Sequence, residues 1–119
     1  AWCGSAAELS RFIASIDGMP HVKDILSKKS IQFMTTEQPD HQYSIGWNYT
    51  PKSNRPWIRT GSLAGTSALV LKYPDGQCWI LITNTSTWKG HGFSNDSMAF
   101  FEKLRQKYMP SMPKKDLFI

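Results

Sequence analysis

Large apolar residues recur at helical intervals through the first third of the chain and at every second position soon after it. Leu9, Phe12, Ile13 and Ile16 fall on one helical stripe. In front of them Ser5 and Glu8 make a capping box: the Ser5 hydroxyl accepts from the Glu8 N–H, and the Glu8 carboxylate reaches back. Gly18 supplies a stop, so the spacing predicts a helix over about Ala6–Asp17. Met19-Pro20 breaks the chain. Ser27 then reads as the N-cap of a short helix that carries Ile31, Phe33 and Met34 and ends near Thr35-Thr36.

Beyond the polar loop Glu37–Gln42 the period changes. Tyr43-Ser44-Ile45-Gly46-Trp47-Asn48-Tyr49 alternates large and small residues, as a strand with one packed face does. Thr50–Pro56 is a loop bounded by prolines, and Trp57–Ser62 reads as a short strand. Thr66–Tyr73 and Cys78–Thr85 are the arms of a hairpin across Pro74-Asp75-Gly76-Gln77, with glycine where positive φ is needed. Both arms are apolar at nearly every central residue, which predicts a sheet covered on both faces. After the loop Ser86–Phe93, Ser94 or Asn95 caps a last helix through about Tyr108, with Met98, Phe101, Leu104 and Tyr108 as its stripe. Pro110 ends it. Ser111–Ile119 takes no assignment, although Leu117-Phe118-Ile119 is apolar enough to dock. The order gives an α+β class: an antiparallel sheet (strand, strand, β-hairpin) packed by N-terminal helices and a C-terminal helix.

Composition narrows the reading. At 119 residues the chain is one domain or less, and its 40% hydrophobic and 13% aromatic content suits a packed core. No apolar run approaches the ~18 residues that span a bilayer, and no secretory signal is visible. The opening Ala1-Trp2-Cys3-Gly4 has no Met and reads as a cut from something longer. The net charge of +5 is scattered, with adjacent pairs only at Lys28-Lys29 and Lys114-Lys115, so a solvated surface is expected and nucleic acid is not. Cys3 and Cys78 lack metal-ligand spacing, and His21, His41 and His91 are too far apart to complete a set. No metal or cofactor is expected. The two thiols are expected free and half-buried, and sequence alone does not establish a disulfide between them.

The chemistry lies in Trp57-Ile58-Arg59-Thr60-Gly61-Ser62-Leu63-Ala64-Gly65-Thr66-Ser67. A strand that delivers a cation, a hydroxyl and a glycine has a use in acyl transfer. The cation and hydroxyl hold a substrate carboxylate or tune a neighbouring base. The glycine permits close backbone approach, and the next N–H can point at a developing oxyanion.

The run Gly61–Ser67, the turn Tyr73-Pro74-Asp75-Gly76, the strand ending in Thr83-Asn84-Thr85 and the upstream Tyr43–Trp47 resemble the serine β-lactamase and penicillin-binding-protein family. The likeness is to its class C, esterase and D-alanyl-D-alanine carboxypeptidase-like branch. The helix start Gly4-Ser5-Ala6-Ala7-Glu8-Leu9 with Phe12 is similar to that family's helix well after the nucleophile. The likeness runs from about Trp2 to Tyr108 and implies one partial domain over residues 1–119, the C-terminal segment of a β-lactamase/transpeptidase-like fold. It also implies that Arg59-Thr60-Gly61 stands where the family has a Lys- or His-Thr-Gly. Arg59 then supplies positive charge, Thr60 a hydroxyl for a substrate carboxylate, and the Ser62 N–H one oxyanion donor. An arginine departs from the pattern: it binds a carboxylate in bidentate fashion but does not release a proton at working pH. A periplasmic or extracytoplasmic location follows from the resemblance alone.

The family's nucleophilic serine stands three residues before a lysine at a helix start, where one turn brings the amine beside the hydroxyl. Ser86-Thr87-Trp88-Lys89 and Ser111-Met112-Pro113-Lys114 match that spacing, but about one match is expected by chance. Both also follow Arg59-Thr60-Gly61, the wrong order, and no Tyr-x-Asn motif is present. No catalytic residue is therefore assigned within the chain. The expectation is a piece of a serine hydrolase, inactive alone, whose partners are the remainder of the parent domain and a β-lactam, peptide or ester substrate. Self-association through an exposed sheet edge is a further expectation. The alternative is a non-catalytic module that binds a glycan or anionic ligand through Trp47, Tyr49, Trp57 and Trp88 with Lys52, Arg55 and Arg59. Core packing is the plainer use of those tryptophans.

Overall fold

A computed structural model of the chain describes residues 3–36, 44–48, 56–85 and 91–113. The chain divides into two compact units, Ala1–Ser86 and Thr87–Ile119.

In the first unit, α1 spans Ala6–Ala14. Its capping box is present: the Ser5 N–H donates to Glu8 Oε2 at 2.7 Å and the Glu8 N–H to Ser5 Oγ at 3.2 Å. These bonds favour the ionised carboxylate and hold the Glu8 carboxyl below its ordinary range, the Ser5 backbone N–H foremost. The helix stops three residues short of the expected Asp17. The Ser15 hydroxyl turns back onto Phe12 O at 2.7 Å, a local bond that competes with further helix. The early stop frees Asp17 to point inward. The second helix, α2, runs Lys28–Thr35 behind its Ser27 cap, where Ser30 N–H reaches Ser27 Oγ at 3.1 Å.

Three strands follow: β1 at Trp57–Leu63, β2 at Thr66–Lys72 and β3 at Cys78–Thr83, antiparallel in the order β1-β2-β3. The β2–β3 turn closes as the sequence predicts, with Gly76 at φ 93° and the Tyr73 N–H on Gln77 O at 2.8 Å. Because strand side chains alternate, the register puts Trp57, Arg59, Gly61, Ala68, Val70, Lys72, Cys78 and Ile80 on one face. On this face Ile13, Trp47 and Val70 form a buried cluster, with Leu9, Trp57, Cys78 and Ile80 packed against it. Each fully buried side chain of this size contributes about 1.5–3 kcal/mol. Leu69 and Leu71 are buried on the opposite face, so β2 is shielded on both sides as expected, whereas β3, the other arm, has no buried residue and leaves Ile82 exposed.

The strand expected over Tyr43–Tyr49 is not one. Residues 44–48 make a turn, because Gly46 sits at φ 85°, outside the extended region. Ile45 N–H then bonds Met34 O at 2.9 Å, and Asn48 N–H bonds Ile58 O at 2.7 Å. Trp47 is buried between those two anchors. Alternation of large and small residues arose here from two anchor points and a buried ring, not from a pleated ladder. Tyr43 and Tyr49 lie outside the described residues.

In the second unit, α3 spans His91–Tyr108 and a short 3-10 turn, Met109–Ser111, follows at Pro110. The helix begins three residues ahead of the expected Ser94 cap. Of its expected stripe, Phe101 is buried while Tyr108 is 45% exposed. No helix among the described residues is long and apolar enough to cross a membrane.

Candidate functional site

Arg59, Thr60, Gly61 and Ser62 stand together on β1, the edge strand of the sheet. Alternation sends the Arg59 and Gly61 positions to the α1 side and the Thr60 and Ser62 side chains to the other. Arg59, Gly61 and Ser62 are exposed and Thr60 is half-buried. The four meet at the open edge of the strand, not on one face.

That edge is partly occupied. The Thr60 N–H donates to Asn48 Oδ1 at 2.9 Å, and the Thr60 hydroxyl lies 3.4 Å from the same oxygen. With the Asn48 N–H on Ile58 O, one asparagine pairs with the strand through both its backbone and its side chain. In an antiparallel edge strand, alternate residues direct their N–H and C=O outward. The outward groups next along β1 after that asparagine are the Thr60 C=O and the Ser62 N–H. Among the described residues, Asn48 covers the edge as far as the Thr60 N–H.

Over the Arg59 face lies a cavity of about 380 Å³. Arg59, Thr60, Gly61, Ala68 and Val70 line it from the sheet, Leu9, Phe12, Ile13 and Ile16 from α1 and the residues after it, and Met34, Gly46 and Trp47 from α2 and the turn. Among the described residues of this lining Arg59 is the sole charged one. The helical stripe that predicted α1 is therefore also the apolar wall of the site.

Gly61 has an unexpected reason to be glycine. Its backbone is ordinary strand, and a Cβ built there would meet nothing closer than the Ala68 Cβ at 3.9 Å, an ordinary contact. Conformation does not demand glycine at this position. Its effect is to leave the cavity floor open.

A second polar cluster sits on the same face at the other end of β2. Lys72 Nζ lies 2.7 Å from Asp17 Oδ2, with both side chains 4% exposed, and it donates to Gly76 O at 2.8 Å. Asp17 Oδ1 accepts the Met19 N–H at 2.9 Å. Cys78, opposite Lys72 in register, has its thiol pushed up to about 11. Burial is the main cause, Lys72 pulls the value down, and Asp17 raises it further. Cys3 and Cys78 are both free, as expected, but Cys3 is exposed and not half-buried.

Sequence reading missed three features here. Asn48 was placed in a strand, and Asp17 inside a helix. Lys72 falls among the scattered charges expected on a solvated surface, yet it is buried within the apolar run of β2. The aromatic and basic face is also corrected in part: Trp47 is buried and packs edge-on against Trp57, ring centroids 5.4 Å apart, so both belong to the core. Tyr49, Lys52, Arg55 and Trp88 lie outside the described residues, as does the Ser86–Lys89 match. Ser111, the serine of the other match, donates to Tyr108 O at 3.0 Å. Among the described residues no group of three or more acidic, histidine or cysteine side chains is placed to hold a metal.

No protein-family model, curated protein or solved structure matches this chain.

Proposed function

We propose that the chain is the C-terminal, substrate-facing part of a serine hydrolase of the β-lactamase and penicillin-binding-protein type. The nucleophilic serine then comes from a segment that precedes it. The observation that carries the proposal is the cavity floored by Arg59, Thr60 and Gly61, beside a strand edge that no described residue is seen to cover past Thr60. In that reading a serine oxygen attacks the substrate carbonyl from the cavity side. The Ser62 N–H, directed outward from the edge, stabilises the negative charge that develops on the carbonyl oxygen. Arg59 holds a substrate carboxylate through its planar fork, with the Thr60 hydroxyl beside it at the edge. An arginine is a poor proton acceptor, so the base that activates the serine also comes from the preceding segment.

The test is the reading frame upstream. A Ser-x-x-Lys at a helix start is expected within a further ~200 residues, a domain-sized length. The longer product should take up one equivalent of a β-lactam or activated ester, and substitution of that serine should abolish uptake. An upstream sequence without such a motif, or a longer product that no acylating probe labels, overturns the proposal.

A further inference from the structure

We infer that the stretch from Val22 to Phe33 is a docking surface for an anionic lipid membrane, on which the protein lies by placing apolar side chains among the lipid headgroups. The inference stands apart from the hydrolase reading and from the cavity over Arg59.

The stretch combines exposed apolar residues with exposed lysines. Ile25 is 69% exposed, Phe33 60% and Val22 45%. Lys23, Lys28 and Lys29, which fall between them in the chain, are exposed as well. Lys29 and Phe33 are four residues apart in α2 and so share one side of the helix, while Ile31 is buried on another.

The backbone that carries these residues is anchored. The Ile25 N–H donates to Ser15 O at 2.8 Å, and the Gly18 N–H donates to Asp24 Oδ1 at 3.1 Å. Both bonds tie the turn between α1 and α2 to the end of α1. The Asp24 carboxylate is engaged within the fold, and the Ile25 side chain is left in solvent. Apolar surface held outward in this way is unfavourable in water and favourable once covered.

The lysines point to what covers it. Lys28 and Lys29 occupy the first turn of α2, where the positive end of the helix dipole disfavours cations. Local helix stability does not account for them, and an anionic surface relieves the repulsion. Lysine is depleted at contacts between proteins, whereas a lipid interface favours it: the long stems lie along the acyl boundary and the ammonium groups meet phosphates. Aliphatic and phenyl groups interspersed with lysine therefore suit anionic lipid better than a protein surface.

The test is sedimentation of the 119-residue chain with vesicles of phosphatidylcholine alone, or of phosphatidylcholine with a third of phosphatidylglycerol, at low and high salt. The chain should pellet with the anionic vesicles, stay in solution with the neutral ones, and be released by salt. Val22→Ser with Ile25→Ser should weaken binding by about tenfold or more through the lost apolar area. Lys28→Gln with Lys29→Gln should weaken it by roughly fivefold per lysine. The same charge change in α3, Lys103→Gln with Lys107→Gln, should leave binding nearly unchanged, which separates this surface from the overall charge of +5. All six positions are exposed, so each variant should keep the amide spectrum of the folded chain. The inference is overturned by no sedimentation with anionic vesicles, by full binding after Val22→Ser with Ile25→Ser, or by an equal loss from the α3 pair. Tighter binding to poly-L-glutamate than to the vesicles also overturns it, and assigns the surface to an acidic polypeptide. None of these outcomes bears on covalent uptake by the longer product.

Discussion

Lys72 and Arg59 lie on the same face of the same sheet, and the chain treats them in opposite ways. Lys72 is 4% exposed, with Asp17 at 2.7 Å and the Gly76 carbonyl at 2.8 Å. Arg59 is exposed beside a cavity whose described lining contains no carboxylate. The first cation is enclosed and its charge is satisfied within the fold. It ties the residues after α1 to the β2–β3 turn. The second stands exposed on the edge strand, in the wall of the cavity. Identical sign and neighbouring positions in the sheet thus carry two meanings, and burial with a partner is what separates them. A satisfied charge does structural work, whereas a charge facing an apolar cavity has work left for a ligand.

The sharpest way to break this comparison is to remove each cation and measure stability. Lys72→Met leaves Asp17 buried without a counter-charge, and should cost about 3–5 kcal/mol in urea unfolding. Arg59→Gln should change stability by no more than about 0.5 kcal/mol, as a surface substitution. Similar costs for the two would end the distinction.

The second effect is one of pH at the closed end. The Cys78 thiol is raised from its ordinary 9.0 to about 11. Between those values the unfolded chain has released the proton and the folded chain still holds it. Stability therefore falls as pH rises through that window, by at most about 1.4 kcal/mol per unit. Below it this group adds no pH dependence. Cys78→Ala should flatten the slope, and a slope unchanged by that substitution would place its origin elsewhere.

Next in size is Asn48→Ala, expected to cost about 1–2 kcal/mol through loss of the Thr60 partner. Amide exchange should accelerate at Thr60 and change little at Val70 in the sheet centre. Uniform acceleration instead would make Asn48 a general stabiliser and not the residue that ends the edge. Smallest is Gly61→Ala. It should raise stability by about 0.5–1 kcal/mol, because glycine in a strand is unfavourable and the added methyl meets only ordinary contact. A loss of stability there would show that the fold itself requires the glycine.

What the sequence made legible follows from how local each signal is. The capping box, the Ser27 cap and the Pro-Asp-Gly turn are settled by atoms within a few residues, and all three form as read. The hairpin arms were legible from their apolar runs. The Tyr43–Tyr49 alternation misled because Gly46 can take a conformation that no pattern of hydrophobicity records. Asp17 was invisible for a different reason. Its partner Lys72 is far away in sequence, so nothing local shows that the helix must end early to bring the two together. The Arg59–Ser62 strand was identified from residue order, yet its apolar wall was read only as the buried side of a helix.

The most direct measurement for the account is intact-protein mass after incubation of the 119-residue chain with a fluorescent penicillin and a fluorophosphonate. The account predicts no adduct with either probe, because the chain offers a substrate-facing strand and the serine comes from elsewhere. A stoichiometric adduct on one serine would contradict it, and Ser86 would then be the first position to mutate.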